Sequence, residues 1–103
     1  MKPEQNMQVA TTILNQLGGT QRLVTMIGAR DILVGPYTLQ FKFMTVNGIN
    51  CTRITLDTNT DTYDIKWFHV RGTKVKDMGN IYGIYADQLR DYFSITTGLA
   101  LSL

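Results

Sequence analysis

Between Tyr37 and Arg71 apolar and polar residues alternate through three short runs, the two-residue period of strands that bury one face and wet the other. In the first run Tyr37, Leu39, Phe41 and Phe43 share one side, and Thr38, Gln40 and Lys42 share the other. Asn47-Gly48 follows, the preferred dipeptide of a type I′ turn whose twist matches paired strands. Ile54 and Leu56 then point inward, with Arg53, Thr55 and Asp57 outward, and the polar stretch 58–62 turns the chain again. Tyr63, Ile65 and Trp67 return to the core, leaving Asp64, Lys66 and Phe68 outside. Arg71-Gly72 marks a further bend. Residues 73–78 read as a fifth, edge strand, whose Lys74 and Lys76 discourage accidental sheet pairing. Segregation by parity predicts that Leu39, Phe41, Ile54, Ile65 and Trp67 are sequestered together.

Before this sheet the period changes. Val9, Ala10, Ile13, Leu14 and Leu17 recur at spacings of three and four, which predicts a helix over residues 5–17. Pro3 and Glu4 suit its first turn, and Gly18-Gly19 ends it. The stretch 22–27 is short and β-prone, residues 28–31 form a turn, and Ile32-Leu33-Val34 is too brief to assign before Gly35-Pro36. A last helix is predicted over residues 83–97. Tyr85, Leu89, Tyr92 and Phe93 make its buried face and Asp87, Arg90 and Asp91 its wet one. Gly98 stops it, with Leu99 folding back on Phe93. The expected architecture is one α+β domain spanning 1–103. It has two layers: an N-terminal helix, a four- or five-stranded antiparallel meander sheet and a C-terminal helix.

Composition narrows the function classes. At 103 residues with 44% hydrophobic and 17% charged residues, the chain has the make-up of an ordinary globular domain. The low charge content leaves uncharged surface for a partner or a second copy. A net charge of +2 is too small to argue for nucleic acid by itself. The single cysteine, Cys51, and single histidine exclude a disulfide framework and a Cys/His zinc site. The opening segment MKPEQNMQVATTILNQL lacks the marks of a secretory signal, and no run reaches the ~20 apolar residues that cross a bilayer. A cytoplasmic protein with no membrane association is the expectation.

Five constellations invite a chemical reading. Asp57-Thr58-Asn59-Thr60-Asp61 begins like a calcium loop, but Thr62 stands where glycine is required and Phe68 where a bidentate glutamate belongs. Cys51 and His69 are a conceivable thiolate–imidazole pair with no identifiable helper. Asp87 and Asp91 lie one helical turn apart, with Arg90 neutralising the same face. No Walker loop, dinucleotide fingerprint or metalloprotease motif occurs, so neither an enzyme nor a cofactor is expected. The basic and aromatic set Lys42, Arg53, Lys66, Phe68, Arg71, Lys74 and Lys76 can hold single-stranded nucleic acid, cations gripping phosphates and a ring stacking on bases. Tyr82, at the entrance to the last helix, is expected to be partly exposed and, with Leu101 and Leu103 of the apolar tail, to meet a partner.

Several phrases together carry a resemblance: Leu17-Gly18-Gly19, Thr25-Met26-Ile27-Gly28-Ala29, Asn47-Gly48-Ile49-Asn50, Arg53-Ile54-Thr55-Leu56 and Thr62-Tyr63-Asp64-Ile65. To these add Gly83-Ile84-Tyr85-Ala86-Asp87-Gln88-Leu89 and Thr97-Gly98-Leu99. Over nearly its whole length the chain resembles a group of small uncharacterised proteins encoded by bacteriophages and related mobile elements. That resemblance implies a product acting inside a bacterial host cell, and it transfers no functional residues. The leading expectation is a non-catalytic binding module docking on a protein partner, with a homodimer as one form. Nucleic-acid binding is the alternative.

Overall fold

Neighbours along the chain are neighbours in the sheet. The structure, a computed structural model, describes residues 3–46 and 48–98. Helix α1 (Pro3–Gln16) and helix α2 (Thr20–Ile27) precede strands β1 (Arg30–Gly35), β2 (Thr38–Val46), β3 (Ile49–Asp57), β4 (Thr62–Arg71) and β5 (Lys74–Ile84). A 3-10 turn (Ala86–Gln88) leads into helix α3 (Leu89–Thr97). The strands form a five-stranded antiparallel sheet in the order β1-β2-β3-β4-β5, so short turns alone connect them. Val46 pairs with Ile49, which closes the β2–β3 hairpin around the Asn47-Gly48 positions.

One face of the sheet packs on the helices. Register places Leu39, Ile54 and Ile65 side by side across β2, β3 and β4, and each is fully buried. The next row joins Phe41, Thr52 and Trp67, also buried. Against them come Ala10, Ile13 and Leu17 from α1, Leu23 and Ile27 from α2, and Leu89 and Phe93 from α3. Phe93 is the hub, its ring 5.3 Å from Phe43, 5.4 Å from Trp67 and 6.0 Å from Phe41, in tilted and edge-on arrangements. The five residues expected to be sequestered together are all in this core. The hydroxyl of Thr52 donates to the Lys66 carbonyl at 3.1 Å, whereas Trp67 Nε1–H has no partner among the described residues.

Three expectations are corrected. The β-prone stretch 22–27 is helix α2. Leu23 and Ile27, four apart, both enter the core, and the amides capping the carbonyls of Leu23 and Val24 close the helix at left-handed Gly28. Tertiary burial of that one stripe outweighs the β preference of Val24, Thr25 and Ile27. The last helix begins six residues late, because β5 runs on through Ile84 and Tyr85 is extended at φ −76°, ψ 155°. Gly83, at φ +72°, sits in a bulge opposite Asp64, a backbone state that opposes helix initiation there. The delay leaves Tyr85 outside the helix, and Tyr92 flanks the buried stripe of α3. Tyr85 and Tyr92, expected in the core, are 61% and 37% exposed, while Leu89, Phe93 and Thr97 make the buried stripe. Gly98 ends α3 in the left-handed conformation as expected, and the contact of Leu99 with Phe93 lies outside the described residues.

Candidate binding face

The other face of the sheet is covered by no element among the described residues, and register sorts its side chains. Gln40, Arg53, Lys66 and Asn80 pair in succession across β2 to β5. The next row is Lys42, Cys51, Phe68 and Asp77. At ~4.8 Å per strand each row spans about 14 Å. Alternation alone dictates this separation, since the inward residues Leu39, Ile54 and Ile65 precede or follow these by one position.

Arg53 is held in place. Its Nε–H donates to Gln40 Oε1 at 3.0 Å, and its guanidinium carbon lies 5.4 Å from the centre of the Phe68 ring. Lys66 stands directly opposite Arg53 on β4, so two like charges share a cross-strand pair. The carboxylates nearby are engaged elsewhere. Asp64 accepts the Gly83 N–H at 3.2 Å, Asp77 the Gly79 N–H at 2.8 Å, and Asp57 the Asn59 N–H at 3.0 Å. Asp31, on β1, pairs with Lys42 at 3.6 Å, the sole ion pair among the described residues. Arg53 and Lys66 are adjacent cations with no ion-pair partner among the described residues.

Of the seven basic and aromatic residues singled out in the sequence, Lys42, Arg53, Lys66 and Phe68 share this face. Arg71, Lys74 and Lys76 do not. Arg71 pairs with Lys74 and His69 with Lys76, all on the opposite parity from Phe68 and Val70. The cations thus form two sets separated by the sheet. Gln40 was missed as a contributor, although it lies two residues from Lys42 and shares its side.

Cys51 and His69 are kept apart. Cys51 is buried on the outer face beneath Gln40, Arg53, Phe68, Val70 and Val75, around a depression of about 80 Å³. Burial pushes its thiol above the ordinary value, with Lys42 and Arg53 pulling partway back. His69 points to the other side, its Nδ1 2.7 Å from the Gly48 carbonyl. A larger hollow of about 370 Å³ lies between the end of α1 and α2, lined by Gly18, Gln21, Arg22, Thr25 and Met26. Its described lining brings one charged group, Arg22, and no acid–base pair. Asp57 and Asp61 belong to a loop organised by its own Asx turn. Asp87 lies in the 3-10 turn and Asp91 in α3, both exposed.

Tyr82 is 62% exposed, as expected from the sequence. Leu101 and Leu103 lie outside the described residues. With Tyr85, Tyr92 and Ile95 (79% exposed), Tyr82 makes the stretch from the end of β5 to α3 unusually apolar for surface. No described helix is long and apolar enough to cross a membrane, a statement that does not bear on β-barrels. No protein-family model, curated protein or solved structure matches the chain.

Proposed function

We propose that the protein is a non-catalytic binding module that docks on a protein partner through the region where β5 passes into α3. The reading rests on one observation: Tyr82 and Tyr85, three positions apart, are 62% and 61% exposed although each is large and aromatic. Leaving such rings in water forgoes burial that the core could have used, and aromatic side chains are enriched at the energetic centres of interfaces. Tyr92 and Ile95, three apart on one side of α3, are further exposed apolar residues of this region. The resemblance to phage and mobile-element proteins implies a partner in the bacterial cytoplasm, and the low charge content of 17% leaves a second copy of this chain as the other form of partner.

The experiment is an affinity capture from nuclease-treated bacterial lysate with wild type and with Tyr82→Ala/Tyr85→Ala, combined with sedimentation of each purified protein. A protein retained by wild type and lost with the double variant is the expected result. A concentration-dependent dimer abolished by the same variant identifies the second copy as that partner. Equal capture and identical sedimentation of the two proteins overturn the reading.

A further inference from the structure

We infer that the Arg53–Lys66 pair on the uncovered sheet face is an anion site that grips the phosphodiester backbone of single-stranded nucleic acid. Tyr82, two residues beyond Asn80 on β5, borders this face, but the inference rests on the cations and does not depend on protein docking at the tyrosines.

Three features of the face carry it. First, Arg53 and Lys66 are directly opposed across β3 and β4, an arrangement that costs stability within the fold. Second, no ion pair among the described residues offsets that cost. Asp57, Asp64 and Asp77 each accept a backbone N–H, and Asp31 turns to Lys42. Third, Arg53 is pre-organised by Gln40 and Phe68 through its Nε and its planar face. Its terminal N–H groups remain for the forked hydrogen bonds that suit a phosphate. Pre-organisation lowers the entropy lost on binding.

The form of the ligand follows from the shape of the site. The cations lie on three adjacent strands, Lys42 on β2, Arg53 on β3 and Lys66 on β4, across an open sheet. No described helix or ribbon projects from this face into which a duplex groove would fit, whereas an extended strand can lie along it. Lys42 adds a third cation. Its exposed pair with Asp31 contributes little and is readily exchanged for a phosphate. Phe68, half-buried beneath Arg53, offers a ring edge beside the cationic row and holds the guanidinium in position.

The test is fluorescence anisotropy with labelled oligothymidine and oligouridine of about 15 nucleotides, enough to cover the face. Matched duplex, polyglutamate and inorganic phosphate serve as competitors. Two or three neutralised phosphates predict an affinity that falls about tenfold between 50 and 200 mM salt. Lys66→Glu should abolish binding while leaving the protein folded, because it replaces the repulsive pair with an attractive one. Arg53→Gln should weaken binding at least tenfold. Lys74→Gln/Lys76→Gln removes as much charge from the opposite parity and should change affinity less than twofold. Absence of binding at low salt overturns the inference, as does equal weakening by the Lys74/Lys76 variant. Competition by polyglutamate, duplex or phosphate as strong as that by single strand overturns it too.

Discussion

Two rows of side chains run across strands β2 to β5, offset by one residue on each strand. Leu39, Ile54, Ile65 and Ile81 face the helices, and Gln40, Arg53, Lys66 and Asn80 face away. The backbone treats both rows alike, because the same ladder carries them. The inner row is explained by the fold: each of Leu39, Ile54 and Ile65 is fully buried in one core. The outer row is not, since it places Arg53 against Lys66 with no carboxylate between them. A residue choice that packing rewards needs no partner outside the chain, whereas one that costs stability within the chain points outward.

The contrast can be broken most severely from the covered side. Phe93→Ala removes the ring shared by Phe41, Phe43 and Trp67 and should cost about 3–5 kcal/mol, a large part of a small domain's stability. Urea unfolding with an unchanged m-value would measure it. A loss below ~1 kcal/mol would mean that α3 is not seated on the sheet.

A second variant probes the margin of that face, where hydrogen bonding replaces packing. Asn50 Nδ2 donates to the Val70 carbonyl at 2.8 Å and its Oδ1 accepts the Val70 N–H at 2.7 Å. The side chain thus completes the β3–β4 ladder beyond the Cys51–Phe68 pair. Asn50→Ala strands both backbone groups and should cost about 2 kcal/mol. Amide hydrogen exchange at Val70 should accelerate in parallel, and unchanged protection there would refute the assignment.

Titration sharpens the comparison from the outer side. Burial raises the Cys51 thiol above the ordinary 9.0, so the folded chain holds that proton more tightly than the unfolded one. Stability contributed by the protonated thiol is complete below pH 9 and declines as the pH climbs past it toward the raised folded value. Tyr63, raised by burial and by Asp61 from 10.0, adds a later decline of the same sign. Cys51→Ala should flatten the first part of the alkaline loss in thermal melts and leave the second. An identical pH profile in the variant would show that the thiol does not contribute.

The smallest effect is the most pointed. Lys66→Glu converts the like-charged pair with Arg53 into an opposite one and should stabilise the protein by a few tenths of a kcal/mol to ~1 kcal/mol. The gain should fade in ~1 M salt, where charges are screened over about 3 Å. Destabilisation at low salt would remove the argument that the pair is a cost.

Much of this molecule can be read along its chain. The alternation from Tyr37 to Trp67, the two-residue turn at positions 47 and 48 and the stripe in α1 all describe local periods, and each element follows its own. The errors occur where local preference and tertiary burial disagree. Residues 22–27 carry β-branched side chains yet form helix α2, which buries Leu23 and Ile27 while leaving Thr25, which a strand would turn to the same face, exposed. Tyr85 fits a helical stripe that starts at Gly83, and the bulge there shifts the start to Leu89, leaving Tyr85 outside the helix. The uncovered sheet face was half legible. Parity united Lys42, Arg53, Lys66 and Phe68, but the same parity, carried through β4 and β5, sends Arg71, Lys74 and Lys76 to the other side.

What the amino-acid order determined by itself is which side chains can share a face, because the period of a strand is a property of the backbone and not of its surroundings. What only the tertiary structure decided is which charges remain unanswered. Asp64 lies two residues from Lys66, and in the sequence it looks like a counter-ion. In the fold it accepts the Gly83 amide from a bulge nineteen positions away and forms no ion pair with Lys66.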